Sequence, residues 1–151
     1  MKTDQIDRKI LNLIQAGFPV SPEPYREIGE ALGISEENVI VRIKNMLDSG
    51  IIRRLGGIFD SGKLGYHSTL CAMKVEESRI DAVAAVVNAY PGVTHNYLRD
   101  HELNIWFTAT AQSQEDLEHM LNQIKRDTGI NDILSLPAEK IFKIRVNFAL
   151  D

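Results

Sequence analysis

Between Gly92 and Ala111 two runs rich in β-branched and aromatic residues, Val93 to Leu98 and Leu103 to Thr110, flank the polar cluster Arg99-Asp100-His101-Glu102. Such a pattern predicts a β-hairpin. Side chains alternate between the faces of a strand, so His95, Tyr97 and Arg99 fall on one face and Thr94, Asn96 and Leu98 on the other. With the turn centred on Asp100-His101, Arg99 pairs with Glu102, Tyr97 with Asn104 and His95 with Trp106. One face then carries His95, Tyr97, Arg99, Asn104 and Trp106; the opposite one carries Leu98, Leu103, Ile105 and Phe107 and reads as a core face. Taken singly, each polar-face residue is an ordinary solvated strand residue. Together, two imidazoles, a guanidinium, a phenol and an indole suit a flat, anionic ligand.

The rest of the chain supplies the partners such a hairpin needs. Tyr66 to Val75 reads as a strand, Ser78 to Tyr90 as a helix with Val83, Val86 and Val87 inward, and Pro91-Gly92 as its stop. After the hairpin, Ser113 and Asp116 open a helix through Leu117, Met120, Leu121 and Ile124 to Gly129, and Lys140 to Phe148 reads as a last strand. The order βαββαβ predicts a ferredoxin-like domain, an antiparallel four-stranded sheet with both helices on one face. In the final run Phe142, Ile144, Val146 and Phe148 alternate with Lys143 and Arg145, which points to dimerisation through the open sheet face.

The first fifty residues have helical periodicity. Thr3 can cap a helix through Ile6, Ile10, Leu11 and Ile14 to Gly17; Ser21-Pro22 starts a second through Tyr25, Ile28 and Leu32; Ser35-Glu36-Glu37 starts a third with Val39, Ile40, Ile43 and Leu47 inward. The tight turn at Gly33-Ile34 makes a helix-turn-helix, and Ile51 to Leu55 with Ile58-Phe59 read as strands of a wing. The fold class is α+β: a winged helix-turn-helix over residues 1–60, then a ferredoxin-like ligand-binding domain over 61–151.

Charge argues against nucleic acid as the target. The net charge is −4, and Met1 to Leu55 carries eight basic against eight acidic residues. Glu36 and Glu37 open the third helix, where a DNA reader contacts bases and phosphates. Cys71 is the single cysteine, which excludes an intrachain disulfide and suggests a reducing, cytoplasmic setting. The N-terminus lacks the apolar run of a signal peptide or membrane helix.

Three motifs carry a resemblance: Arg53-Arg54-Leu-Gly-Gly-Ile-Phe59-Asp60, Lys63-Leu64-Gly65-Tyr66, and the run from His95 through Tyr97, Arg99, His101, Asn104 and Trp106 to Thr108. With them, nearly the whole chain resembles the siroheme decarboxylases, Lrp/AsnC-like proteins of the alternative haem and haem d1 pathways. Leu103 departs from the pattern, standing where many relatives have an aromatic residue. The resemblance implies removal of two acetate carboxyl groups from siroheme to give 12,18-didecarboxysiroheme. It implies walls or stacking edges from Phe59, Tyr66, Tyr97 and Trp106, carboxylate binding by Arg53, Arg54 and Arg99, a polar contact from Asn104, and proton delivery by His95 and His101. Either histidine could instead ligate the substrate iron. No intrinsic metal or redox cofactor is implied, and the partner is a second copy or a paralogous subunit. His67 and His119 read as surface residues. The competing expectation is an Lrp/AsnC-type transcription regulator with a small-molecule effector.

Overall fold

The computed structural model describes residues 2–143 and 147–150. They form two compact units, one from Met1–Gly57 with Lys143–Asp151 and one from Ile58–Phe142.

In the first unit α1 spans Gln5–Ala16, α2 Pro24–Leu32 and α3 Glu36–Asp48. Asp4, rather than Thr3, caps α1: its carboxylate accepts the Asp7 N–H at 2.8 Å while Asp7 accepts the Asp4 N–H at 3.0 Å. This reciprocal box needs an acceptor three residues after the cap, and Asp7 supplies it for Asp4. The second helix starts at Pro24, not at Ser21-Pro22, because a residue preceding proline is disfavoured in the helical region and Glu23 is therefore held outside. Ser35 caps α3 as its sequence suggests. Gly29 has a packing reason: a Cβ there would lie 2.6 Å from the Ile34 carbonyl oxygen, so the α2–α3 turn can close only over a bare backbone. The core is Ile10, Ile28, Val39, Ile43, Met46 and Ile52. Ile40, expected inward, is 42% exposed, and Met46 fills the core instead.

No wing strand forms between Ile51 and Tyr66. Ile58 and Phe59 are exposed, and the Gly56-Gly57 pair, with Gly56 at φ 155, interrupts the segment before two strands could pair. The helix-turn-helix expectation is met without its β-wing.

The second unit has β1 (His67–Met73), α4 (Ile80–Asn88), β2 (Val93–Leu98), β3 (Ile105–Ala111), α5 (Gln114–Thr128) and β4 (Ile133–Pro137). The strand order is β2-β3-β1-β4, antiparallel throughout. This is the ferredoxin-like arrangement. Cys71 and Met73 of β1 and Ile105, Phe107 and Ala109 of β3 bury one sheet face against Val83 and Val87 of α4 and Leu117 and Ile124 of α5. Alternation leaves Leu70, Leu134 and Leu136 about two-fifths exposed on the other face.

The fourth strand is thus Ile133–Pro137 and not Lys140 to Phe148. Pro137 ends it, because proline cannot donate to a continuing ladder. Ile144, Arg145 and Val146, on which half of the apolar alternation rests, lie outside the described residues; Phe142 and Phe148 are exposed. The end of the chain belongs to the first unit, where α1 takes the place of a sheet edge. Gln15 donates to the Phe148 carbonyl at 2.7 Å and accepts its N–H at 2.9 Å, and Asn12 donates to the Leu150 carbonyl at 2.7 Å. Two side-chain amides one helical turn apart satisfy backbone groups that a strand partner would otherwise satisfy.

Candidate functional site

The hairpin forms with a loop two residues longer than the sequence suggests. Tyr97 pairs with Trp106, His95 with Thr108 and Leu98 with Ile105, and the Arg99 N–H donates to the Asn104 carbonyl at 2.8 Å. A shift of two residues preserves the facing of every side chain, so His95, Tyr97, Arg99 and Trp106 still share the open face. Ile105 and Phe107 are buried on the other, as expected, but Leu98 is 61% exposed because it lies at the loop end of the edge strand, beyond the cover of α4.

Sequence reasoning missed a bulge. The register slips between Val93 and His95, leaving Thr94 without an opposite residue. Bulges re-aim neighbouring side chains, and here the Thr94 hydroxyl meets His95 Nδ1 at 3.0 Å. Gly92, just before the bulge, admits no side chain, since a Cβ would sit 2.5 Å from the Thr110 carbonyl oxygen. The signal available in the sequence was Pro91-Gly92, read there only as a helix stop.

On the open face the rings form a tier. His95 and Tyr97 stack with centroids 6.1 Å apart and planes 26° from parallel. The Arg99 guanidinium lies over Tyr97 at 5.6 Å and over Trp106 at 5.8 Å. Cation–π contact of this kind engages the charge of the guanidinium without supplying acceptors for its N–H groups. No carboxylate among the described residues forms an ion pair with Arg99. The tier is therefore a cationic, aromatic surface with its donors available for an acidic ligand.

The loop carries His101, whose Nδ1 accepts the Leu103 N–H at 3.0 Å. Trp106 Nε1 donates to the Leu103 carbonyl at 2.6 Å, which fixes the indole. Leu98, Arg99, Asp100, His101 and Asn104 line a cavity of about 470 Å³ with Ile80 at the start of α4 and Glu77 in the turn before it. Lys74 pairs with Glu102 at 3.0 Å and holds its carboxyl below the usual range.

Asn104 differs from its expected use. Its carboxamide turns to the continuation of β1, accepting the Val75 N–H and donating to the Val75 carbonyl, both at 2.8 Å. Tyr66 and Phe59 are not in the tier. Tyr66 precedes His67, which pairs with Ala111, whereas Trp106 pairs with Ala72; six residues at about 3.3 Å each put roughly 20 Å of strand between them. Tyr66 is partly exposed and Phe59 largely so. Arg53 and Arg54 are exposed side chains of the first unit. Cys71 is inert, its thiol pushed up to about 12 by burial. Among the described residues no helix is long and apolar enough to cross a membrane.

On the first unit, Arg42 of α3 is drawn inward. Its guanidinium meets Asp4 and the buried Asp7, each at 2.7 Å. The outward surface of that helix includes Glu37, Ile40, Val41 and Lys44.

Comparison with known proteins gives these features a family. Residues 7–53 match the siroheme decarboxylase NirDL-like helix-turn-helix domain and residues 63–143 the AsnC-like ligand binding domain. The siroheme decarboxylase alpha subunit of Desulfovibrio desulfuricans is 53% identical over 98% of this chain and 85% of its own length. The siroheme decarboxylase NirG subunit of Pseudomonas aeruginosa is 36% identical over 97% of this chain and 99% of its own. The crystal structure of the siroheme decarboxylase NirDL in co-complex with an iron-uroporphyrin III analogue superposes with a TM-score of 0.69 at 33% identity, over 96% of this chain and 48% of that one. With a relative this similar over almost its whole length, a helix-turn-helix that matches the family's own and an arginine-aromatic tier on the sheet, the chain belongs to the siroheme decarboxylase family.

Proposed function

We propose that this chain is a subunit of a siroheme decarboxylase, a carboxy-lyase that removes two acetate carboxyl groups from siroheme to give 12,18-didecarboxysiroheme in the alternative haem or haem d1 pathway. The observation that carries the reading is the tier of His95, Tyr97, Arg99 and Trp106. Siroheme is a large flat iron tetrapyrrole bearing eight carboxylates, and it calls for an aromatic platform with unpaired cationic donors. Tyr97 and Trp106 supply the platform. Arg99, held over both rings, offers its N–H groups to a carboxylate, a charged hydrogen bond worth about 1.5–3 kcal/mol. Arg53, Arg54, Phe59 and Tyr66 are further carboxylate anchors and walls that the family resemblance assigns to siroheme.

Each decarboxylation breaks the bond between the acetate methylene and its carboxylate. Carbon dioxide leaves, the electron pair is delocalised into the macrocycle, and a proton converts the methylene to a methyl group. One proton is consumed per carboxyl group lost, and no oxidant or reductant enters the balance. His95 and His101 are the donors within reach of a ligand on the tier, and proton transfer by a positioned group contributes roughly 10²–10⁴-fold in rate. The iron belongs to the substrate, and no further cofactor is needed. The subunit works as a homodimer or with a paralogous partner in the cytoplasm.

Specific DNA binding is not part of this reading. Arg42 is spent on Asp4 and Asp7, and the exposed surface of α3 sets Lys44 against the carboxylates of Glu37 and Asp48 beside apolar Ile40 and Val41, which leaves no net positive charge for a duplex.

The test is anaerobic incubation with siroheme, together with a paralogous subunit where one exists, followed by mass analysis of the tetrapyrrole. We expect a product lighter by two carbon dioxides. The His95→Ala/His101→Ala variant is expected to stay folded, since both side chains are exposed, and to lose about 10²-fold or more of the rate. Undiminished turnover by the folded double variant would place the chemistry elsewhere.

A further inference from the structure

We propose that Asn104 is a positioning residue that sets the tautomer of His101 through the main chain of Leu103; its bearing on catalysis rests on the decarboxylase reading above. Asn104 is gripped on two sides. Its carboxamide makes a two-bond clasp with Val75, beyond the end of β1, and its carbonyl accepts the N–H of Arg99, the residue after β2. The residue before it is then held in one orientation, and both of its polar groups are in use. The Leu103 N–H points at His101 Nδ1 at 3.0 Å and the Leu103 carbonyl holds Trp106 Nε1 at 2.6 Å.

A backbone N–H can only donate, so Nδ1 of His101 must be the acceptor and the neutral ring carries its proton on Nε2. His101 therefore offers a ligand an Nε2–H donor. While the bond to Leu103 stands, neither ring nitrogen has a lone pair directed at a metal. The contrast with His95 is informative: its Nδ1 partner is the Thr94 hydroxyl, which both donates and accepts. His95 is free to adopt either tautomer and can present a lone pair to the substrate iron. The clasp by Asn104 thus divides the labour of the two histidines, with His101 as the donor.

The experiment reads the tautomer directly, by 15N NMR of the His101 ring in the protein without siroheme, at a pH where the ring is neutral. The wild type should show the Nε2–H form. Asn104→Ala should give a mixture of tautomers and, with siroheme, lower kcat roughly 10- to 100-fold with KM changed by less than about twofold, the mark of misplacement and not of lost binding. Should that variant fail to fold, Asn104→Asp retains the acceptor for the Val75 N–H, loses the donor to its carbonyl, and is expected to shift the tautomer in the same direction. Lys74→Ala removes the neighbouring pair with Glu102 and should change neither readout. A folded Asn104 variant that keeps the pure Nε2–H form overturns the proposal, as does Lys74→Ala shifting the tautomer equally, since the loop in general would then be responsible. Because the tautomer is read without substrate, absence of decarboxylation in the wild type would refute the functional reading while leaving this one standing.

Discussion

Arg42 on α3 and Arg99 at the end of β2 carry the same guanidinium into opposite surroundings. Arg42 is about three-quarters covered and ends on two carboxylates, whose contacts hold its proton more firmly than usual. Arg99 lies over two aromatic rings and no carboxylate among the described residues satisfies its edge. In the first unit charge is neutralised internally and serves the fold; in the hairpin it is displayed and serves a ligand. The comparison teaches where to look for function in a scaffold shared with regulators: the helix that would read DNA has closed its arginine off, and the sheet face has left its own open.

The contrast can be broken most forcefully at Arg42. Arg42→Ala leaves Asp7 buried without its cation and should cost about 2–3 kcal/mol of stability, read from the denaturant midpoint, somewhat less than a fully buried pair because the arginine is partly solvated. It should alter nothing in a binding assay with duplex DNA. A steeply salt-dependent affinity for DNA in the wild type, abolished in this variant, would reverse the assignment of the first unit.

Arg99→Ala should do the reverse. Stability should move by no more than about 0.5 kcal/mol, as for other exposed side chains, while siroheme affinity falls about 10-fold in an absorbance titration, the loss of one charged hydrogen bond. Arg99→Lys should recover little of it, because an ammonium neither stacks on Tyr97 and Trp106 nor offers a fork. Full affinity in Arg99→Lys would show that net charge alone is being recognised.

A smaller effect sharpens the comparison through pH. The Asp7 N–H, and next to it Arg42, hold the Asp4 carboxyl below its ordinary value of 3.8. The stabilisation is fully present above that value, where the unfolded chain is also ionised, and is lost as the pH falls through the lower folded value. Asp4→Asn, which can still cap the helix, should flatten the acid limb of a far-UV circular dichroism titration below pH 3.8. Trp106, the single tryptophan, reports on the hairpin and should show no matching change; an identical acid limb in both proteins would remove Asp4 from the account.

Much of this was legible in the residues. Hydrophobic periodicity located five helices and the facing of the hairpin, because burial imposes periods of 3.6 and 2 on any sequence that folds this way. The two-residue error in loop length cost nothing for His95, Tyr97, Arg99 and Trp106, since an even shift keeps each side chain on its face. Failures came where side chains compete for backbone groups. Composition did not reveal that the Asn104 carboxamide is held by Val75, because that contact depends on a segment 29 residues away. Lys140 to Phe148 looked like the fourth strand because alternation names no partner, and β1 pairs with Ile133–Pro137 instead. The wing failed similarly: Ile51 to Leu55 has strand composition, and nothing pairs with it.

The grip of Asn12 and Gln15 on Phe148 and Leu150 has a consequence in time. These contacts join residues up to 138 positions apart, so the unit that holds α1 is completed only after Phe148 and Leu150 have been synthesised. The sheet between them can close beforehand from its own contiguous sequence. Assembly is thereby nested, the inner unit first and the outer one after, and a chain ending before Phe148 would have its whole sheet while the amides of Asn12 and Gln15 kept only each other as partners.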